Sequence, residues 1–116
     1  MSSTDFSELR ISDEIIASIV VNSCKDCKGI FCFEKKPFKL KNVFNNGENL
    51  KYVEIKKDDE FYVFSLYIKV FNSFSIPQLV SQVKERVKKS VEIMTEKEVK
   101  DVKVNIVSVE FDELPD

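Results

Sequence analysis

The chain has 116 residues, 43% of them hydrophobic and 33% charged, with a formal net charge of −2. That balance suits one folded domain with a modest core, and it gives no global attraction for nucleic acid or an acidic membrane. The absence of histidine excludes His-dependent triads, proton shuttles and His-bearing zinc sites, and two glycines, Gly29 and Gly47, cannot write a Walker loop or a dinucleotide fingerprint.

Residues 1–10 are expected to be a flexible lead-in, without the apolar core of a signal peptide. No later stretch approaches the roughly 18 apolar residues of a membrane span, so direct membrane insertion is not expected. The expected setting is cytoplasmic, where thiols stay reduced. Ser12 is placed to cap a helix, with Asp13 and Glu14 where a helix N-terminus favours negative charge. Ile16, Ile19, Val20, Ser23, Cys24 and Cys27 then recur at helical spacing, and Gly29 is expected to end the helix in a left-handed conformation. Residues 34–50 show no clean period and contain Pro37 and the turn-forming NNG, which predicts a variable, lysine-rich loop that can hide a short strand or helical turn.

A short strand follows in KYVEIKK, then a turn at KDDE and the strongest strand of the chain, FYVFSLYIKVF. Tyr62, Phe64, Leu66, Ile68 and Val70 form one unbroken apolar face of that strand. Ser75 caps a second helix with Pro77 in its first turn, and Ile76, Val80, Val83, Val87, Val91 and Met94 form its predicted core stripe, flanked by Leu79 and Ile93. EVKDVKVNIVSVEF alternates as a last strand, with Val102, Val104 and Ile106 on one face, before an acidic tail at 112–116. The expected fold is α+β, helix-strand-strand-helix-strand, with two helices packed on one face of a small three-stranded mixed sheet spanning residues 11–111. Phe61, Val63, Tyr67, Val107, Val109 and Phe111 fall on the other sheet face. With Leu79 and Ile93 they form the candidate protein-interaction surface, too apolar to face water alone.

All three cysteines lie in NSCKDCKGIFCF. A structural zinc site takes four ligands, so a carboxylate or a second chain would have to complete one here. A redox pair at Cys24 and Cys27 would sit at the helix end that does not stabilise thiolates. The favoured reading is that these cysteines are small hydrophobes of the core, with no metal and no cofactor. Asp58, Asp59 and Glu60 cluster in a solvated turn rather than a pKa-tuning site, and Ser75 and Thr95 have no histidine base, so no catalytic residue is assigned. Lys35, Lys36, Lys39 and Lys41 alternate with Phe38, Leu40 and Phe44, the pattern of an alternative nucleic-acid contact in a domain of KH-like architecture. Such domains clamp the backbone with a GXXG loop, which this chain lacks, and nucleic acid is therefore not the expected partner.

Three stretches, ISDEIIASIV, KYVEIKKDDEFYVFSLYIKVFNSFSIPQLV and VKKSVEIMTEKEVKDVKVNIVSVEF, resemble the alkaline shock protein family of envelope-stress proteins in Gram-positive bacteria and their relatives. The resemblance covers most of residues 11–111 apart from the 34–50 loop. In the family pattern Cys24 and Cys27 occupy packing positions. TEKEV lacks the glycine that often follows the Met-Thr pair. The resemblance implies a non-enzymatic scaffold of envelope homeostasis. It also implies homo-oligomers, and a place beside the inner face of the membrane through a separate membrane-anchored partner.

Overall fold

The computed structural model describes residues 10–37 and 49–111. In chain order they form helix α1 (Asp13–Ser23), strand β1 (Ile30–Phe33), a 3-10 turn (Asn49–Lys51), strands β2 (Val53–Lys57) and β3 (Phe61–Phe71), helix α2 (Ile76–Thr95) and strand β4 (Glu98–Glu110). β3 is the hub of the sheet. β4 runs parallel to it along its whole length, from Phe61↔Glu98 to Phe71↔Glu110. A strand has only two edges, so β1 and β2 share the other one end to end, both antiparallel to β3. β2 pairs along Tyr62–Leu66 and β1 along Ile68–Val70. The sheet is mixed, as expected, but it has four strands in three files rather than three strands. The extra strand, IFCF, is four residues long and has no polar alternation to mark it.

Both predicted caps form. The Ser12 hydroxyl accepts a hydrogen bond from the Ile15 N–H at 3.2 Å, and the Ser75 hydroxyl accepts one from the Gln78 N–H at 3.3 Å. α1 is shorter than its apolar period suggested: it stops at Ser23, with Cys24 as C-cap at φ −97°, and tight turns carry the chain on to β1. Gly29 is not left-handed and does not end the helix. Its need for hydrogen in place of a side chain is steric, because a Cβ there would lie 2.9 Å from Leu79 Cδ2 and 3.0 Å from Phe74 Cγ. The Gly29 carbonyl also accepts the Phe71 N–H at 2.9 Å, which ties the start of β1 to the end of β3.

One apolar core lies between the helices and the sheet. Ile16, Ala17, Val20, Cys24 and Cys27 enter it from α1 and the turn after it, and Leu79, Val83, Val87 and Val91 enter from α2. Tyr62, Phe64, Leu66, Ile68 and Val70 fill it from β3, every one of them buried. Val83, Val87 and Val91 are buried as predicted, but the buried stripe of α2 begins at Leu79 in place of Val80, and its predicted end members Ile76 and Met94 are exposed. After α2 the chain turns through Glu96, the one non-glycine residue with positive φ among the described residues, at φ 59° and ψ 24°. The missing glycine after Met-Thr is thus a left-handed position held by a glutamate.

Candidate interaction surface

Registered neighbours across a sheet project from the same face, so the pairings locate every outer side chain. The middle file of the face away from the helices is Phe61, Val63, Ser65, Tyr67, Lys69 and Phe71, all half-buried. Lys56 flanks Val63 from β2 and Asp101 flanks it from β4, while Glu54 and Lys103 flank Ser65 in the next row. Further along, Glu34 reaches Lys69 at 3.7 Å, and Lys100 sits 4.5 Å above the Phe61 ring. Burial raises the Tyr67 pKa, with a further push from the nearby Glu54 carboxylate. The outer face is therefore a central spine, apolar at Phe61, Val63, Tyr67 and Phe71 but interrupted by Ser65 and Lys69, with charges on both flanks at Val63 and Ser65, and not an open apolar patch.

Two register shifts in β4 correct the predicted membership of this face. Lys100 and Val107 are each an extra residue opposite β3. After the second shift Val109 pairs with Val70, on the helix side, rather than lying beside Phe61 and Val63. Val107 is the bulged residue itself and is 45% exposed, and Phe111, just beyond the strand, is 74% exposed. Leu79 is also corrected: at 4% exposure it is core, because it packs where Gly29 leaves room. Ile93 is exposed as expected, with Met94 beside it in the last turn of α2.

Together Val107, Val109 and Phe111 belong to an apolar rim at the end of the sheet where β3 and β4 finish. Phe74 and Ile76 expose apolar surface at the start of α2, and Phe31 sits edge-on to Phe71 with ring centroids 5.3 Å apart. Phe31, Phe74 and Ile76 were not among the predicted surface residues. Phe31 belongs to the strand that periodicity missed, and Ile76, predicted as the first member of the core stripe, precedes the buried residues that begin at Leu79.

β4 pairs only with β3 among the described residues, so its other edge is open. The start of that edge is blocked by side chains of α2. The Val99 N–H donates to Glu92 Oε2 at 2.7 Å, the Val99 carbonyl accepts from Lys88 Nζ at 3.2 Å, and Lys88 pairs with Glu92 at 3.0 Å. The Val99 N–H and then the Lys88 ammonium hold the Glu92 carboxyl below its usual pKa.

The other sequence candidates find structural employment. Cys24 and Cys27 are buried in the core, and burial pushes the Cys24 thiol up to about 12 and raises Cys27 as well, which disfavours the thiolates that metal binding or redox chemistry requires. Cys32 is half-buried beside Lys69 on the outer face. Asp58 closes the β2–β3 turn by accepting the Glu60 and Phe61 N–H groups at 2.8 and 3.1 Å, and its carboxyl is lowered accordingly. Beside that turn lies an open depression bounded by Arg10, Asp13, Lys57, Asp58, Glu96 and Lys97. Several of its charges already have partners: Lys57 pairs with Asp13, and Lys97 donates to the Asp58 carbonyl at 2.7 Å. Lys35 is exposed, and Lys36 donates its N–H to the Lys51 carbonyl at 2.8 Å; Lys39 and Lys41 lie outside the described residues.

A small α+β domain with two helices on one sheet face and a charged, spined face opposite is a class of fold whose accessible features are surfaces. The model of the alkaline shock protein family, a family of cell envelope-related function, matches residues 1–111, and this chain belongs to that family. No curated protein matches it. Two solved structures of a MamM CTD in zinc forms are similar, with TM-score 0.48 and 12% and 13% identity, each covering 90% of this chain and 90% of its own. No helix among the described residues is long and apolar enough to cross a membrane.

Proposed function

We propose that this chain is a non-enzymatic scaffold of cell-envelope homeostasis. It works in the cytoplasm, associates with itself, and is held at the inner face of the membrane by a membrane-anchored partner. The envelope-related function of the family sets the context. The observation that carries the scaffold reading is the rim: Phe31, Phe74, Ile76, Val107, Val109 and Phe111 are each 38–74% exposed and gather at one end of the sheet. Exposed apolar residues gathered in this way are what partner proteins bury.

The test is an affinity purification of the tagged protein after crosslinking in cells, split into nuclease-treated and untreated halves. The expected result is one membrane protein recovered equally in both halves and lost from the Ile76→Lys/Phe111→Lys variant, which should still fold because neither side chain belongs to the core. RNA or ribosomal proteins recovered only without nuclease would overturn the reading in favour of nucleic acid.

A further inference from the structure

The two charged files of the outer face carry opposite signs in opposite order. Beside the spine, β2 presents Lys56 and then Glu54, while β4 presents Asp101 and then Lys103 in the same two rows. A rotation of 180° about an axis parallel to β3 and just above the sheet exchanges the two files and keeps every row in place. Lys56 then faces Asp101 of the partner subunit, and Glu54 faces Lys103 of the partner subunit. We infer that two copies of this chain pair face to face through their outer sheet faces about that axis. The inference rests on the self-association in the functional reading above and names its surface and geometry.

Two observations favour this partner. The charge pattern is complementary to itself, which is what selects a second copy over an unrelated protein. The same rotation sets each spine residue opposite its own counterpart, with Lys100 lying over Phe61 at one end, so the half-buried Val63 and Tyr67 lose their remaining contact with water. Lys69 would meet its own copy, but Glu34 of its own chain lies 3.7 Å from it and offsets the repulsion. A two-fold axis running across the strands also matches charges, with Lys103 facing Asp101 of the partner subunit, but it leaves the Lys69–Phe71 end of the spine overhanging. Three files spaced about 4.8 Å apart and about eleven residues long give a face of about 500 Å² per copy. That lies below the roughly 800 Å² per partner of a standard stable complex, which places the pairing among weak, transient associations.

The experiment is sedimentation velocity on the full chain and on Glu54→Lys, Lys103→Glu and the double variant E54K/K103E, with circular dichroism to verify that each is folded. The wild type should associate at tens of micromolar. Each single reversal should weaken association about tenfold or more by placing like charges opposite one another, and the double variant should recover it. The across-strand axis predicts instead that the double variant stays weak, since the lysine introduced at position 54 would then face Lys56 of the partner subunit; that result overturns the geometry inferred here. Association untouched by the single reversals would overturn it too, while leaving self-association in the functional reading intact. A wild type that stays monomeric at these concentrations would remove both.

Discussion

The two faces of β3 use similar residues for different ends. Phe64 and Val70 point at the helices and are fully buried, whereas Phe61 and Val63 point the other way and are half-buried. What differs is the company they keep. On the helix side the neighbours of β3 are Val53, Ile55, Val102 and Val104, and α1 and α2 close over them. On the outer side the neighbours are Glu54, Lys56, Asp101 and Lys103, charged residues that stay in water while the stems of the two lysines can lie along the spine. An apolar residue in the central strand says little about which face holds the fold; the flanking files decide it.

Mutations on the two sides should separate accordingly. Phe64→Ala should cost about 3–5 kcal/mol in a urea melt, the range for emptying a closed core site. Phe61→Ala, which gives up partial burial and the Lys100 contact, should cost about 1 kcal/mol. Equal losses at the two positions would erase the distinction between the faces. Gly29→Ala should cost about 1–3 kcal/mol, because the new methyl meets Leu79 and Phe74 where α2 crosses the start of β1.

Glu92→Gln probes the clamp at the open edge of β4 and should cost about 1–2 kcal/mol by weakening a charge-assisted hydrogen bond and an ion pair. The Glu92 carboxyl is lowered in the folded state. Its contribution is thus fully present above the ordinary carboxylate pKa of the unfolded chain and is lost as the pH falls through the lowered folded value. Melts at neutral and strongly acidic pH should differ less for the glutamine variant than for the wild type. The smallest effect runs the other way: Glu96→Gly should stabilise by about 0.5–1 kcal/mol, since glycine relieves the left-handed backbone at the end of α2.

Much of this was legible in the sequence. Both capping serines, the bounds of β3, the Asp58 turn and the parallel strand after α2 follow from local chemistry and from strong periodicity. The misses share a cause, which is that they depend on long-range geometry. A four-residue strand has no period to read, and β1 exists because Gly29 and Phe71 are tied together. The β4 bulges coincide with slips in its apolar alternation, from Val99 to Val102 and from Ile106 to Val107, but only the pairing with β3 shows that the second one turns Val109 to the other face. Leu79 and Val80 are adjacent and both apolar, and the approach of Gly29 decides between them. For the surface, Val63 and Tyr67 were visible as outward residues, but the Lys56 and Asp101 flanks of Val63 emerge only when β2 and β4 are set in register around β3.

The claim that one face holds the fold while the other is left for partners is tested most directly by Val63→Lys, followed in parallel by thermal melting and by sedimentation at tens of micromolar. The account predicts a folded protein that melts within a few degrees of the wild type and no longer associates. Loss of the folded state would contradict it, since the outer face would then be part of the core.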